Sequence, residues 1–397
     1  MTSNRFSLPP APSRCRLVWN PRLILALTVS LGIATITILR EQLPAVLRPG
    51  LHLYAYVANA ADGTLTVVDV VKLAPVTTIA VGPEPSGVRA NPKRGEIWGV
   101  STAGGYAWVV DTRAGREAAR ISVGAQPYAL DFSPDGARAY VAAQGSNTMV
   151  AIDCALRQIV ARARTGRRPW IARVTPDGKI VVVTNHDDAT VTLLDATTLA
   201  RIAVIPVATQ PEQIGILPDS SKAFISSGNS RRISVVDLRR RALLANLELD
   251  GTAADFVVNP DGGELYIPSP DAHGLLVVST WTNEVSDYVL AGSAPERAIL
   301  SRDGQTLYVA DPAANHVAAV QIAFRQVLQH PVTTGQGPTA MALTPVGDML
   351  LVVDSGSDDL AVIRTAGCST TAGGTSDCLT TLIPVGHAPR DLAVKLF

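Results

Sequence analysis

The chain has 397 residues, and its 34 basic residues balance its 34 acidic residues. A chain without a global positive charge lacks the electrostatic footprint of nucleic-acid binding, so we expect no nucleic-acid partner. The composition is 47% hydrophobic with 31 glycines and 27 prolines, which is typical of short strands joined by tight turns.

The N-terminal region differs from the rest of the chain. Residues 1–22 form a basic segment with four arginines, and residues 23–39 form an uncharged, largely apolar run. Seventeen helical residues span about 26 Å, close to the lower limit for crossing a bilayer. We therefore predict an uncleaved signal anchor, that is, a transmembrane helix at 23–39; a cleaved signal peptide and a buried core helix are the alternatives. The arginines place residues 1–22 in the cytoplasm, and a linker at 40–50 leads to an extracytoplasmic domain at 51–397.

A sequence repeat of about 42 residues runs through the rest of the chain. It contains a turn proline, a short strand, a Pro-Asp-Gly turn and a second strand rich in β-branched residues. The Pro-Asp-Gly turn or its equivalent begins at Pro92, Pro134, Pro176, Pro218, Pro260, Arg302 and Pro345. A fixed period of this length indicates one small supersecondary unit that buries its apolar faces against its neighbours.

A single repeat, from Gly124 to Thr165, contains four segments with the composition of strands. Four antiparallel strands in about 42 residues are typical of a β-propeller blade. The stretch with strands two to four occurs eight times, and the chain ends on a first strand at 390–397. We predict an all-β propeller of eight four-stranded blades, closed by pairing of that last strand with the first stretch at 54–80. A seven-bladed ring with the first hairpin outside it is the alternative.

Two of the four cysteines flank an insertion rich in glycine, serine and threonine. A disulfide between Cys368 and Cys378 would close this loop, and it would persist only in an oxidising compartment. Cys154 is a lone thiol in a repeat turn, and the sequence contains no CxxC or CxxCH motif.

Several repeats contain a tetrapeptide of one type, namely Tyr56-Val57-Ala58-Asn59, Tyr140-Val141-Ala142-Ala143, Val182-Val183-Thr184-Asn185 and Tyr308-Val309-Ala310-Asp311. With these motifs the chain resembles the YVTN family of β-propeller repeat proteins over residues 54–397. The resemblance implies the propeller fold and leaves the function open. The family is similar to surface-layer and periplasmic binding propellers, to the haem-carrying propeller of a nitrite reductase and to lactonase-like enzymes.

In a propeller, the turn before strand one and the turn between strands two and three share a face around the channel mouth. Repeat scaffolds place variable binding residues at such turns. The candidate binding residues around the turn prolines are Tyr128, Arg168, Trp170, Glu212, Glu296, Arg297, His387 and Arg390. Clustered aromatic and charged side chains suit a sugar ring, a peptide or a carboxylate; solvation of a loop face is the alternative.

Deeper in the channel, Arg89, Asp131 and Arg173 occupy equivalent positions on three adjacent blades. We expect opposite charges here to pair across the blade interfaces; an anion site is the alternative.

Four histidines fall on the mouth face, namely His186, His273, His316 and His387. Imidazoles near one rim are potential metal or haem axial ligands. These four lie on different blades, however, so we expect no metal and no cofactor.

The sequence favours a non-catalytic, membrane-anchored, extracytoplasmic propeller that binds a protein or small ligand at its channel mouth. An enzyme of the lactonase or lyase kind is the alternative, and a haem-binding redox propeller is the second alternative. We expect a monomer in the bacterial inner membrane, with its propeller in the periplasm or outside the cell. Cleavage of the N-terminal segment would make it a secreted protein. No catalytic residue is assigned.

Overall fold

The structure, a computed structural model, describes residues 52–228, 230–328, 330–368 and 376–397. The segments expected at 1–22, 23–39 and 40–50 lie outside the described residues. Within the part of the chain that is described, no helix has the length and apolarity to cross a membrane.

The strands form eight antiparallel sheets, and the chain begins and ends in the same one. Blade 8 consists of β1 (Leu53–Asn59), β2 (Thr64–Asp69), β3 (Ala74–Ala80) and the last strand, β33 (Pro389–Leu396). Blade 1 consists of β4 (Pro85–Ala90), β5 (Glu96–Ser101), β6 (Tyr106–Asp111) and β7 (Arg116–Ser122). Blade 2 consists of β8 (Pro127–Phe132), β9 (Arg138–Ala143), β10 (Thr148–Asp153) and β11 (Gln158–Arg164).

The next two blades are equally regular. Blade 3 consists of β12 (Pro169–Val174), β13 (Ile180–Asn185), β14 (Thr190–Asp195) and β15 (Arg201–Pro206). Blade 4 consists of β16 (Pro211–Ile216), β17 (Lys222–Ser227), β18 (Arg232–Asp237) and β19 (Ala242–Glu248).

Blades 5 to 7 complete the ring. Blade 5 consists of β20 (Val257–Val258), β21 (Glu264–Ser269), β22 (Gly274–Ser279) and β23 (Glu284–Leu290). Blade 6 consists of β24 (Arg297–Leu300), β25 (Thr306–Asp311), β26 (His316–Gln321), β27 (Gln326–Val327) and β28 (Val332–Thr333). Blade 7 consists of β29 (Pro338–Leu343), β30 (Met349–Asp354), β31 (Asp359–Arg364) and β32 (Leu379–Pro384).

Blade 8 confirms the predicted closure of the ring. The final strand β33 pairs with β1 along its length, with Tyr56 opposite Ala393. Beyond the strands, the His52 N–H donates to Phe397 O at 2.8 Å, and the Phe397 N–H donates to His52 O at 3.0 Å. This pairing removes the unprotected edges that an open array would present. The prediction of eight blades is confirmed, and the seven-bladed alternative is wrong.

The core lies between the blades. Strands two and three of each blade are buried almost throughout, because each packs against neighbours on both faces, whereas the outer strands are mostly exposed or half-buried, as in β11. Trp98 and Trp108 are both fully buried. Complete burial of one large apolar side chain contributes about 1.5–3 kcal/mol. Gly99 has Trp108 ring atoms 2.1 Å from where a Cβ would lie, so a side chain at this position would displace the tryptophan.

Backbone hydrogen bonds bring the two predicted sets of turns to one face, which we call the mouth. The residue before the turn proline has a positive φ on several blades, as at Gln126 and Arg168, both with φ 51°. This conformation costs about 1–2 kcal/mol for an L-residue. It presents the carbonyl oxygen to the turn between strands two and three: the Gln144 N–H donates to Gln126 O, and the His186 N–H donates to Arg168 O. The opposite face, formed by the turns between strands one and two and between strands three and four, is called the base.

Two blades depart from the regular pattern. The inner strand of blade 5 has only two residues, β20, and the segment Asp250–Ala253 that precedes it lacks the turn proline found in most of the other repeats. The outer edge of blade 6 is divided into β27 and β28, both of which pair with β26. The predicted disulfide between Cys368 and Cys378 is present, between β31 and β32 of blade 7.

Candidate functional site

A cavity of about 420 Å³ opens at the mouth and extends into the channel. Inner strands from several blades line it. Tyr128, Arg390, Arg297 and Thr339 lie toward the mouth end of these strands, and Arg173 lies farther along β12. This volume falls within the range of about 300–1,000 Å³ that is usual for small-molecule sites.

Three aromatic rings from blades 2 and 3 are in tilted contact at the mouth, and one of them, Tyr128, also lines this cavity. The Tyr128 and Trp170 ring centroids are 4.9 Å apart, and the Trp170 and His186 centroids are 5.3 Å apart with an interplanar angle of 30°. Tyr128 and Trp170 follow the turn prolines of adjacent blades, and His186 follows β13, so the repeat itself brings them together. We call Tyr128, Arg168, Trp170, His186, Asp187 and Glu212 the rim cluster.

The imidazole of His186 lies between two carboxylates. Its Nδ1 is 2.8 Å from Asp187 Oδ1, and its Nε2 is 3.6 Å from Glu212 Oε1. The side chain is only 10% exposed. The hydrogen bond with His186 is the main reason that the pKa of Asp187 is lowered, with the nearby Arg168 and Arg167 charges adding to the effect. A carboxylate on Nδ1 fixes the ring and leaves Nε2 as the nitrogen that can face a ligand.

Arg168 lies over the Trp170 ring. Its guanidinium carbon lies 5.1 Å from the Trp170 ring centroid, and its Nη1 is 3.6 Å from Asp187 Oδ1. Asp188 turns away and pairs with Arg167, so the two adjacent aspartates do not form a catalytic pair. A cation over an indole face adds about 0.5–1 kcal/mol at an exposed site, which helps to hold the rim cluster in place.

Arginine and aspartate alternate around the inner part of the channel. Arg89 pairs with Asp391 of blade 8 at 3.4 Å, and Arg297 lies 3.8 Å from Asp255. Pairing between blades therefore occurs as predicted, but the partner of Arg89 is Asp391 and not Asp131.

The carboxylates also tie adjacent inner strands together through the backbone. Asp391 accepts the Val88 N–H at 2.8 Å, and Asp131 accepts the Val174 N–H at 2.9 Å. Burial raises the pKa of Asp255, against the opposing effect of Arg297.

Arg173 has no carboxylate within ion-pair distance among the described residues, and its Nη1 donates only to Ala172 O at 3.4 Å. Burial lowers the pKa of its guanidinium, against the attraction of Asp131. Because an arginine stays charged in proteins, Arg173 presents a positive charge to the cavity that it lines.

The remaining expected site residues lie on other parts of the mouth. Arg297 and Arg390 line the cavity, whereas Glu296 is exposed in the turn before β24. His387 is on blade 8, 75% exposed, with Nδ1 3.0 Å from Asp62 Oδ1, and this hydrogen bond raises the pKa of His387. The eight candidate binding residues thus share one face, and four of them belong to the rim cluster.

The four mouth histidines do not converge. His273 Nδ1 contacts Ser293 O, and His316 is packed near the buried Asp311. Sequence reasoning treated them as one set, and it singled out His186 and Asp187 only as a test of the lactonase alternative. The signal was present in Asn185-His186-Asp187, in which a carboxylate follows the histidine. The position of Glu212 beside Nε2 depends on the angle between blades 3 and 4, which the sequence does not reveal.

Part of the chain is similar in sequence to a family of haem domains. The Cytochrome D1 heme domain family matches residues 97–255. This range extends from β5 to the turn before β20 and contains the whole rim cluster. No curated protein shows significant sequence similarity to the chain.

Solved structures show the same fold at low identity. "Dihydro-heme d1 dehydrogenase NirN in complex with DHE" is 16% identical with a TM-score of 0.67, covering 85% of this chain and 74% of that chain. Hydrazine synthase of Kuenenia stuttgartiensis is 20% identical with a TM-score of 0.58, covering 71% and 96%. A functionally unknown protein from Desulfotomaculum acetoxidans is 14% identical with a TM-score of 0.57, covering 86% and 98%.

These findings correct the expectation of no cofactor. The family that matches is a heme domain, and the similar structure of NirN is that of a dihydro-heme d1 dehydrogenase in complex with DHE. The comparisons therefore contradict a propeller without a cofactor. They favour the haem-binding alternative over the scaffold that the sequence favoured. The propeller itself is supported, whereas the narrower likeness to YVTN repeat proteins stays a prediction.

Proposed function

We propose that the chain is a haem-binding propeller and that the mouth cavity holds an iron tetrapyrrole of the d1 type. The observation that carries the proposal is His186: one ring nitrogen bonds a carboxylate, and the other makes no hydrogen bond among the described residues. Histidine is a common protein ligand of haem iron, so His186 would hold the group, and the carboxylate on its other nitrogen orients the imidazole and increases its basicity.

The residues present suit such a group. Tyr128, Arg173, Arg297 and Arg390 line the cavity, and the flat face of Trp170 lies against Tyr128 with the ring centroids 4.9 Å apart. Guanidinium groups bind the carboxylates of a tetrapyrrole through charge-assisted hydrogen bonds. When bound, the iron would supply one-electron chemistry, which no side chain of the rim cluster provides.

Glu212 has a defined part in this proposal. Its Oε1 lies 3.6 Å from His186 Nε2, so Glu212 lies beside the nitrogen through which His186 would hold the iron. Asp187 keeps Nδ1 and thereby holds the ring orientation. The two acids therefore have different functions. Asp187 positions the imidazole through Nδ1, and Glu212 lies beside Nε2, the nitrogen that is available to a ligand.

Absorption titration with ferric haem d1, and with iron protoporphyrin IX for comparison, tests the proposal. We expect the wild-type chain to bind one equivalent with a shifted absorption maximum. His186→Ala should weaken binding at least tenfold, because it removes the imidazole that would hold the iron. His387→Ala is the matched control, since it removes an exposed mouth histidine on blade 8, and should bind as the wild type does. Equal binding by His186→Ala and wild type would contradict a role of His186 as the iron ligand.

An enzyme of the lactonase or lyase kind is the second candidate, because an imidazole between two carboxylates also suits a general base. Lactone turnover that is lost in His186→Ala, by a protein that takes up no haem, would establish it and would reject the haem proposal. The binding scaffold remains the third candidate; capture of a partner that depends on Trp170 and Arg168, without haem uptake, would support it.

We further propose that the propeller lies outside the cytoplasm, with residues 23–39 as its membrane anchor. The disulfide supports the compartment, because such bonds persist in oxidising environments. Alkaline phosphatase fused after residue 397 should be active in a bacterial host, and an inactive fusion would argue against this orientation.

A further inference from the structure

The two faces of the ring differ in charge. In the described turns of the base, basic residues outnumber acidic ones, and in the described turns of the mouth the reverse holds. The basic residues of the base turns are Lys72, Lys93, Arg94, Arg113, Arg157, Lys179, Arg239, Arg240, Arg241, Arg302 and Arg325, and the acidic ones are Asp135, Asp177, Asp219, Asp261, Asp303, Asp348 and Asp377. The acidic residues of the mouth turns are Asp62, Glu84, Asp187, Asp188, Asp250, Asp255, Asp271, Glu296 and Asp358, and the basic ones are Arg167, Arg168 and Arg231.

The base also exposes large apolar side chains. Trp281 is 80% exposed, Phe324 is 66% exposed and Leu156 is 65% exposed. All three occupy turns between strands three and four, on blades 5, 6 and 2. Exposed aromatic residues on a basic face are typical of surfaces that contact membranes, where an indole ring lies at the headgroup level.

A cationic cavity of about 560 Å³ opens on the same face. Five basic side chains line it, namely Lys93, Arg94, Arg113, Arg157 and Lys395. Its two acidic residues are already engaged. Glu96 pairs with both Arg94 and Arg157, and Asp111 accepts the N–H groups of residues 113 and 114.

The cavity therefore keeps cationic groups available for an anion. Among the described residues, the side chains of Lys93 and Arg113 make no ion pair or hydrogen bond. A cavity with this excess of positive charge suits a phosphate group.

The chain enters the propeller at the base. His52, the first described residue, is paired with Phe397, and Leu396 and Phe397 line the cationic cavity. Residues 40–51 separate the apolar run at 23–39 from His52. Twelve extended residues span at most about 43 Å, so if the run is anchored in a bilayer, the chain reaches His52 within that distance.

We propose that the base docks on a bilayer that contains anionic phospholipid. Trp281 and Phe324 lie at the interface, and a lipid phosphate occupies the cationic cavity. Each basic residue near an anionic membrane adds about fivefold in affinity, and the base has many more of them than the mouth has. Docking in this orientation turns the mouth, with its rim cluster, away from the membrane.

Fluorescence quenching of the full chain by brominated phospholipids tests the docking of the aromatic residues. Two vesicle types are used, phosphatidylcholine alone and phosphatidylcholine in which part is replaced by phosphatidylglycerol. We expect wild type to show a quenched component in the anionic vesicles that Trp281→Ala lacks. Trp170→Ala, which removes a tryptophan of the mouth, should retain that component. An unquenched Trp281 would overturn the proposal.

Charge reversal tests the electrostatic part. Lys93→Glu with Arg113→Glu should weaken the Trp281 quenching in anionic vesicles by at least about fivefold per reversed charge. Arg231→Glu, an exposed reversal at the mouth, is the control for net charge and should change little. Equal loss in both variants, or equal quenching in neutral vesicles, would contradict headgroup recognition.

Other occupants of the base give different results. A second copy of the chain would shift the Trp281 emission with protein concentration in the absence of lipid, and a protein partner would leave the brominated lipid without effect. Either outcome rejects the bilayer proposal. Haem titration of Trp281→Ala and of the variant with Lys93→Glu and Arg113→Glu is independent of it, because these three residues lie at the base and not at the mouth.

Discussion

The mouth and the base are built from turns of one repeat, yet they carry opposite charge and different aromatic residues. At the mouth, the Trp170 and Tyr128 rings are in tilted contact, Trp170 is half-buried, and charges are paired around His186. At the base, Trp281 is almost fully exposed, and basic side chains surround an open cavity. A repeat fold keeps its strands constant and varies its turns. The comparison shows that one array can carry two surfaces of different chemistry, for which we propose a cofactor at the mouth and a membrane at the base.

We expect the largest loss of stability, at both the mouth and the base, when the ring is opened. Deletion of residues 387–397 removes β33, which runs from the mouth to the base and pairs with β1. We expect the loss of more than about 5 kcal/mol, a large part of the stability of an ordinary domain, because blade 8 loses its inner strand. Thermal unfolding followed by circular dichroism measures this. An equally heat-resistant truncated chain would contradict the closed ring.

Substitution of the mouth arginines sharpens the comparison without breaking the fold. Arg297 and Arg390 line the cavity, and a hydrogen bond to a charged group contributes about 1.5–3 kcal/mol. We therefore expect each alanine variant to weaken haem binding by roughly tenfold or more. Arg239→Ala, at the base, serves as the control and should leave the haem titration unchanged. Equal weakening by Arg239→Ala would show that the effect is not local to the mouth.

An acid pair at the mouth end of blade 7 makes stability depend on pH. Asp354 is completely buried, and its Oδ1 and that of Asp359 have no donor among the described residues. Burial and the adjacent Asp359 raise the pKa of Asp354 to about 8. The equivalent Asn59 and Asn185 instead donate from their amides to threonine hydroxyls.

In the folded chain, the carboxyl of Asp354 holds its proton more tightly than it does in the unfolded chain, where its pKa is near 3.8. The free energy of unfolding therefore falls as the pH rises from about 4 through about 8, because Asp354 must lose its proton in the folded chain. Asp354→Asn should reduce that loss and raise stability above pH 8 by about 1–3 kcal/mol, the cost of an unsatisfied buried group. Urea unfolding at acidic and alkaline pH measures the difference. If the stability of Asp354→Asn depended on pH as that of the wild type does, Asp354 would not be the group whose proton the folded chain retains.

The smallest effect is expected at the base of blade 7. Reduction of Cys368–Cys378, which are separated by 10 residues, should free the insertion loop. The Arg364 N–H still donates to Cys378 O, so the β31–β32 pairing holds both ends. We expect a loss near the low end of the range of about 0–5 kcal/mol for disulfides. Differential scanning calorimetry with and without reductant measures it; a large drop in Tm would contradict a loop outside the folding unit.

The number and closure of the blades could be predicted from the sequence, because both follow from the repeat period and from a first strand at the end of the chain. The short β20 also had a signal, the missing proline in Asp250–Ala253. The disulfide followed from two cysteines around an insertion. Each of these features depends on spacing along the chain.

The site was predicted only in part. The mouth face, Tyr128, Trp170 and Arg168 followed from the repeat. The pairing of His186 with Asp187 and Glu212, and the pairing of Arg89 with Asp391, depend on packing between blades that lie far apart in sequence. Because four histidines on four blades look dispersed, sequence reasoning undervalued a single, well-oriented imidazole and wrongly expected no cofactor.

The absorption spectrum of the chain purified from its native cells tests the central claim most directly. A haem-binding mouth predicts a Soret band that shifts on reduction and is lost in the His186→Ala variant, while the His387→Ala variant keeps it. A colourless wild-type protein that also takes up no haem d1 in solution would contradict the claim.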